Sequence, residues 1–406
     1  MHERKFWTMD IVIVAQYLRN IEDFSINNSR FVYLAKELAK EDQNYLEIIT
    51  SDFSHGKKQH FKRVGKLSNI KITTCHEPGY PKNVCLRRFE SHKKLAKNVE
   101  LYLNKRKTPD LIYVAVPSLD VAEVCATYCQ QNNVKFVVDI QDLWPEAFRL
   151  VFNIPFISSM IFEPMRKQAD RIYKAADRIV AVSQTYADRG KRVNMKCPKT
   201  EVVFLGTELE TFDLYKGSVK KNREDEMLFA YCGTLGHSYD LTSTFDALSI
   251  LQEKGIKYRF VIMGDGPLKS QFVEYARKKG INAEFTGALN YPDMVQRLCE
   301  CDIALNPIMH GAAQSIINKH ADYVAAGLPI ISTQESREFR QLIEDYSMGF
   351  NCKNADPKDM AEKMERLIYN EKLRLEMGKN ARRCAQERFD RKYTYTKLAK
   401  IITSIV

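Results

Sequence analysis

A chain of 406 residues is longer than one compact core usually serves, so two domains of about 200 residues each are expected. With 45% hydrophobic and 28% charged residues it is neither a disordered nor a fibrous chain, and no run approaches the ~20 uncharged apolar residues of a membrane-spanning helix. The net charge of +11 lies in one half: residues 1–200 hold 33 Lys and Arg against 22 Asp and Glu, whereas residues 201–406 hold 29 of each.

Ten cysteines without a signal peptide read as reduced thiols of a cytoplasmic protein. The closest pairs, Cys125 with Cys129 and Cys299 with Cys301, have no second Cys or His pair nearby to complete a tetrahedral site, so no metal is expected.

Residues 1–8 read as a leader outside the fold. The apolar run 9–17 has the form of a buried first strand; residues 27–40 carry apolar side chains at helical spacing (Phe31, Leu34, Ala35, Leu38), and residues 45–49 return to strand character. Together they make one β-α-β unit.

Residues 53–107 then hold fifteen Lys and Arg, among them Lys57, Lys58, Lys62, Arg63, Arg87 and Arg88, against three acidic residues. An anionic membrane surface, a phosphorylated lipid or a nucleic acid would each satisfy such a face, and a solvated helix face is the alternative. Few aromatics interleave with the lysines, so no nucleic acid is expected. His55, His60 and His76 lie in this basic loop with no visible partner and are not expected to be catalytic.

The alternation continues with helix 86–104, strand 111–115, helix 118–131, strand 135–138, helix 159–175 and strand 178–182, which predicts a parallel sheet wound with helices on both faces. At the end of the fourth strand, in DIQDLWPEAF (139–148), Asp142 could orient or deprotonate an acceptor hydroxyl. Trp144 beside it stacks on a sugar ring or belongs to the core. The apolar run 150–162 is too short to span a bilayer and is interrupted by Pro155, which favours covering a domain core over lying against a membrane.

The polar stretch 205–225 reads as an interdomain linker, after which strands 227–231, 258–263, 283–286, 302–306 and 329–332 alternate with helices 240–253, 267–279, 291–300, 315–326 and 356–369. The expected α/β architecture is therefore two Rossmann-like domains facing across a cleft, residues 1–205 and 206–385. A helical tail, 386–406, packs back towards the first.

Four strand-to-helix junctions in the second half suit a nucleotide diphosphate. Gly233 and Thr234 in CGTLGHS, and Gly264 and Gly266 in GDGP, let backbone N–H groups approach a phosphate at a helix start. Gly287, Ala288 and Leu289 end the next strand, where a planar base could rest. The fourth junction runs through NPIMHGAAQSIINKHADYVAAGLPII (306–331). A helix from about Ser315 would put Gln314, Asn318 and Asp322 on one face at i, i+4 and i+8. Gln314 could meet sugar hydroxyls, Asp322 both ribose hydroxyls, and the N–H groups of Ser315, Ile316 and Ile317 the diphosphate, with Lys319 adding positive charge.

The two alternating halves, the GDGP turn and the ending YVAAGLPII resemble family 4 glycosyltransferases of the GT-B fold over nearly the full chain. DLWPEAF and SIINKHADYVAAGLP are similar to bacterial enzymes that build capsule, exopolysaccharide or O-antigen repeat units. The resemblance implies a retaining transfer without metal or other cofactor. The donor is a nucleotide-diphosphate sugar, UDP-linked by analogy, held by the C-terminal domain. The acceptor is a lipid-diphosphate-linked sugar on the N-terminal domain, at the cytoplasmic face of the cell membrane. It also implies the site: Asp142, Gln314 and Lys319 catalytic, with Trp144 and the basic residues on the acceptor or membrane side. The family's E-x7-E motif falls on Gln314 and Asp322, the first without a carboxylate. The Arg and Lys that many relatives place after the first glycine-rich loop are missing from GTLGHSYDL, and Gln141 stands where a His often precedes the acceptor-side Asp. A nucleotide-sugar 2-epimerase and a non-catalytic nucleotide-sugar-binding subunit are the rival readings.

Overall fold

The computed structural model describes residues 9–24, 29–40, 44–83, 85–146, 157–197, 199–219, 226–312 and 315–406. The chain divides into two compact units, one of Met1–Val203 with Thr394–Val406 and one of Phe204–Tyr393. The expected leader 1–8 and most of the apolar run 150–162 lie outside the described residues.

The first unit is built on a parallel sheet of β1 (Met9–Val14), β2 (Asn44–Ser51), β5 (Lys71–Cys75), β6 (Leu111–Val116), β7 (Lys135–Ile140), β8 (Arg178–Ala181) and β9 (Thr200–Val202), in the order β5-β2-β1-β6-β7-β8-β9. Its strands are Val- and Ile-rich because both faces are covered. Val12, Val14, Ile112, Val114, Phe136 and Val138 pack with helices Leu86–Leu103, Leu119–Asn132 and Ile157–Ala175 through Leu95, Val99, Ala122, Cys125 and Ile172. Ile11, Ile13, Tyr113 and Val137 point the other way, against Leu34 and Leu38 of helix Arg30–Leu38 and Tyr395, Leu398 and Ile402 of helix Arg391–Thr403. The two sets alternate along each strand, as the pleat requires. A small hairpin, β3 (Phe53–Ser54) with β4 (Gln59–His60), lies outside the sheet.

In the second unit β10 (Met227–Cys232), β11 (Tyr258–Met263), β12 (Ala283–Gly287), β13 (Ile303–Asn306), β14 (Ile330–Ser332) and β15 (Gly349–Asn351) form a parallel sheet in the order β12-β11-β10-β13-β14-β15. One face packs through Phe229, Tyr231, Phe260, Ile262 and Leu305 against Leu241, Phe245, Leu248, Met360 and Met364 of helices Leu241–Glu253 and Pro357–Tyr369.

In the two large sheets three strands escape the sequence pattern, the edge strands β5, β9 and β15, which bury too few side chains to give a periodic signal, and the short hairpin β3-β4 escapes it too. The stretch 205–225 is not a bare linker either, since it contains helix Leu209–Lys216. All ten cysteines are free thiols. Among the described residues no helix is long and apolar enough to cross a membrane.

Candidate functional site

The carboxyl ends of β10, β11 and β12 and the start of helix Asn318–Ala325 border a cavity of about 390 Å³ in the second unit. Gly233, Thr234, Gly264, Ala288, Leu289, Asn318, Lys319 and Asp322 line it; Gly266, Gly287, Ser315, Ile316 and Ile317 do not. Cys232, Met263, Asp265 and Met294 complete the wall. A larger cavity of about 600 Å³ in the same unit touches Asp302 and Pro329. These residues precede β13 and β14, so it sits at the amino ends of the strands, whereas open α/β sheets bind ligands at the carboxyl ends.

The glycines act differently from the expectation. A Cβ on Gly264 would lie 1.8 Å from the Gly233 carbonyl oxygen, so these two loops touch backbone to backbone. Gly233 donates its N–H to the Met263 carbonyl (2.9 Å), Leu235 donates to that of Asp265 (2.9 Å), and Gly266 donates to the Asp265 carboxylate (2.8 Å). The N–H of Gly233 is therefore occupied in closing the two loops on one another, and that of Gly266 by the Asp265 carboxylate within its own turn, rather than open to a phosphate.

The helix expected from Ser315 begins at Asn318, with Ile317 in extended conformation before it. Local hydrogen bonds satisfy the backbone outside a helix here. The Ser315 carbonyl accepts from Gln334 Nε2 (2.5 Å), and Ile317 donates its N–H to His320 Nδ1 (3.3 Å). Of the expected polar face, Asn318 and Asp322 lie one turn apart on this helix; Gln314 lies outside the described residues. Ile317 is not an open diphosphate donor, and Ser315 and Ile316 are buried.

Lys319 is the residue expected to add positive charge for the diphosphate. It is buried, 6% exposed, and its Nζ has no hydrogen-bond acceptor among the described residues. The ammonium sits 4.0 Å from the centre of the Tyr231 ring and 3.9 Å from that of Tyr239. A Cβ on Gly233 would come within 3.0 Å of Nζ, so glycine at 233, with φ +137°, makes room for the cation. Burial pulls its pKa down to about 7. Cation–π contact with two rings offsets only part of the desolvation.

Asp322 is tied differently. Its Oδ1 accepts from Tyr291 Oη (2.9 Å), which also contacts Thr207 Oγ1 (2.8 Å). Burial raises the carboxyl to about 6, against the lowering effects of Tyr291 and Arg391. Tyr323 Oη accepts from the Cys232 N–H (3.0 Å) and donates to the Leu305 carbonyl (3.1 Å), which pins the helix carrying Lys319 and Asp322 to the strand ends. Tyr231, Tyr239 and Tyr291 are aromatics that sequence reading had no means of placing here.

In the first unit Asp142 is half-buried, accepts from the Leu143 N–H (2.9 Å), and is raised by burial. Trp144 is a correction: at 5% exposure it belongs to the core, with the Arg88 guanidinium 4.7 Å from its ring centre and His92 stacked at 6.0 Å, so its face is not open to a sugar. Arg88 is likewise buried, donating to Tyr17 Oη and the Asn83 carbonyl, and Lys58 turns inwards to Asn83 and the Tyr80 ring. Of the expected membrane face, Lys57, Lys62, Arg63 and Arg87 are exposed. The histidines do have partners: His55 meets Tyr80 Oη at 2.6 Å, and His60 and His76 lie beside Asp52.

Residues 216–384 match the family described as glycosyl transferases group 1. This segment is a glycosyl transferases group 1 domain. Among curated proteins the chain is similar to the probable glycosyltransferase WbjE of Pseudomonas aeruginosa, 22% identical over 57% of this chain and 60% of that protein. It is also similar to the GDP-mannose-dependent alpha-(1-6)-phosphatidylinositol dimannoside mannosyltransferase of Mycobacterium tuberculosis, 25% identical over 47% of each. The matches therefore span about half the length of these relatives. Among solved structures, sucrose-phosphate synthase from Thermosynechococcus elongatus superposes with a TM-score of 0.72 at 14% identity, over 98% of this chain and 99% of that one. HepE of Anabaena in complex with UDP gives 0.67 at 16%, over 98% and 100%. The group 1 domain is thus carried on the GT-B fold, as the sequence resemblance implied.

Proposed function

We propose that the protein is a retaining, metal-independent glycosyltransferase whose second unit binds a UDP-sugar and which transfers the sugar to a lipid-diphosphate-linked acceptor in surface polysaccharide synthesis, at the inner face of the cell membrane. The observation that carries this reading is the buried Lys319 ammonium, with no anionic partner among the described residues, on the wall of the 390 Å³ cavity. A buried cation is costly unless something anionic completes it. A diphosphate lying over Gly233 would supply that charge, next to the first N–H groups of helix Asn318–Ala325. Asp322 keeps one carboxylate oxygen beyond the Tyr291 contact for a ribose hydroxyl. Ala288, Leu289 and Met294 offer apolar surface to a base.

On this reading the acceptor hydroxyl attacks the anomeric carbon from the side the diphosphate leaves. A leaving phosphate oxygen takes the proton, and Lys319 stabilises the charge that develops. Asp142 orients the acceptor. UDP is favoured by the UDP complex of HepE, while the mycobacterial relative's name specifies GDP-mannose. Thermal stabilisation by a panel of nucleotide sugars selects among bases, since a ligand of the folded state raises its melting point.

The mechanism is tested by NMR of the product, in which an inverted anomeric configuration would sink it. A labelled nucleotide sugar incubated without acceptor separates transfer from epimerisation. The membrane assignment predicts salt-sensitive binding to anionic liposomes, each surface Lys or Arg contributing about 1 kcal/mol. Joint replacement of Lys57, Lys62, Arg63 and Arg87 by Glu should abolish it, and undiminished sedimentation with the liposomes would remove the patch from the account.

A further inference from the structure

The described residues contain one group of three side chains with metal-ligand chemistry and mutual reach, and it belongs to the first unit, whereas the residues assigned to the donor belong to the second. Asp52 follows β2, His76 follows β5, and His60 ends the hairpin strand β4. One ring nitrogen of each histidine and a carboxylate oxygen of Asp52 all lie within 4.8 Å of one another. His76 Nδ1 is 2.9 Å from Asp52 Oδ2, and His60 Nε2 is 3.7 Å from Asp52 Oδ1. Ligands held at about 2.0–2.2 Å from one ion stand roughly 3–3.5 Å apart, so both spacings bracket what an ion between them would impose.

The three side chains are held in place by other contacts. Neighbouring parallel strands β2 and β5 fix the backbone of Asp52 and His76, with Ser51 paired to Cys75 and the Asp52 N–H donated to the Cys75 carbonyl. The Glu77 N–H donates to Asp52 Oδ1 (2.8 Å), the kind of supporting hydrogen bond that orients a ligating carboxylate. His60 packs edge-on against Phe53 at 5.4 Å and stacks with His76 at 5.5 Å, with 14° between the ring planes. The Glu77 carbonyl oxygen accepts from His60 Nε2 at 2.8 Å, close enough to become a fourth ligand, an oxygen, once an ion displaces that proton.

We propose that Asp52, His60 and His76 form a binding site for a late first-row divalent ion of the Zn²⁺ class. Two imidazoles and a carboxylate suit such an ion better than Mg²⁺ or Ca²⁺, which take oxygen ligands. All three side chains retain solvent exposure, so coordination positions stay open to water or to an anionic oxygen. The ion's ligands belong to the first unit and none of them is assigned to the donor, so its binding is measurable whether or not the transfer reading holds.

Tag-free full-length protein, freed of metal by chelation, is titrated with Zn²⁺ by calorimetry and with Co²⁺ by visible absorption. The expected result is one saturable site, a Co²⁺ d–d spectrum of a nitrogen- and oxygen-ligated ion, and at least ~10-fold weaker binding in each of His60→Ala, His76→Ala and Asp52→Asn. His55→Ala, which removes a nearby histidine outside the cluster, should bind as the parent does. Circular dichroism and urea unfolding without metal establish that each variant is folded. The absence of a saturable site in the parent protein overturns the proposal, as does undiminished one-to-one binding in folded His60→Ala/His76→Ala.

Discussion

Each unit buries a cation, and the two are treated in opposite ways. In the first, Arg30 lies 3.0 Å from Asp139, both essentially inaccessible, and donates to the Val203 carbonyl, while Tyr113 donates to the same carboxylate oxygen. Asp139 holds the guanidinium pKa above its ordinary value despite burial. In the second, Lys319 has two aromatic faces, no acceptor among the described residues, and a pKa pulled down to about 7. A charge pair of this kind belongs to the architecture of a domain. On the proposed reading, an unpaired cation at the carboxyl ends of a parallel sheet is a socket for an anion.

The sharpest way to break this contrast is to make both cations apolar. Arg30→Met leaves a buried carboxylate without its charge partner and should cost about 3–5 kcal/mol in urea unfolding. Lys319→Met removes a desolvated charge from a fitted apolar slot, so unfolding should be unchanged or shifted to higher urea. Its transfer rate should nevertheless fall by about 10²–10³-fold, the loss typical of deleting one stabilising donor from a charge-developing site. If Lys319→Met unfolds as easily as Arg30→Met, the two cations are equivalent and the socket reading fails.

Acidity gives a smaller effect with a definite sign. A diphosphate favours the charged lysine, so donor binding is strongest below pH 7 and weakens as pH rises through the pKa of about 7, by up to tenfold per unit, or about 1.4 kcal/mol. Without ligand the sign reverses. The folded pKa lies below the ordinary value near 10.4, so the penalty of the buried ammonium is full below pH 7. It is relieved between there and about 10.4, and stability rises with pH. Calorimetric titrations with a nucleotide sugar between pH 6.5 and 8.5 measure the first trend, and Lys319→Met should flatten it. Smallest is Tyr291→Phe, which strips Asp322 of one hydrogen bond; donor affinity should drop about 2- to 10-fold while the transfer rate at saturation holds.

What the sequence made legible follows from range. Strands such as β1 and β11 announce themselves through continuous apolar runs, because burial on both faces is a local property of the chain. The edges β5, β9 and β15 do not, and neither does the displaced helix start, where side-chain hydrogen bonds from His320 and Gln334 override the periodic pattern. At the site, the glycines and Lys319 stood out by position. Their roles depended on partners far away in the chain: Gly264 against Gly233, Lys319 between Tyr231 and Tyr239. Trp144 takes the core alternative and Arg88 leaves the expected basic face for the same reason, since the ring and the guanidinium satisfy one another across segments that no spacing rule connects.

The return of residues 394–406 to the first unit also sets the timing of assembly. Tyr395, Leu398 and Ile402 are buried in the core that contains Ile11, Ile13 and Tyr113, so the first unit cannot close that face until residues 394–406, made after the whole of the second unit, leave the ribosome. Domains emerging in order generally fold in order. Here the second unit can finish before the first, which waits until then with the part of that face that Tyr395, Leu398 and Ile402 cover still open.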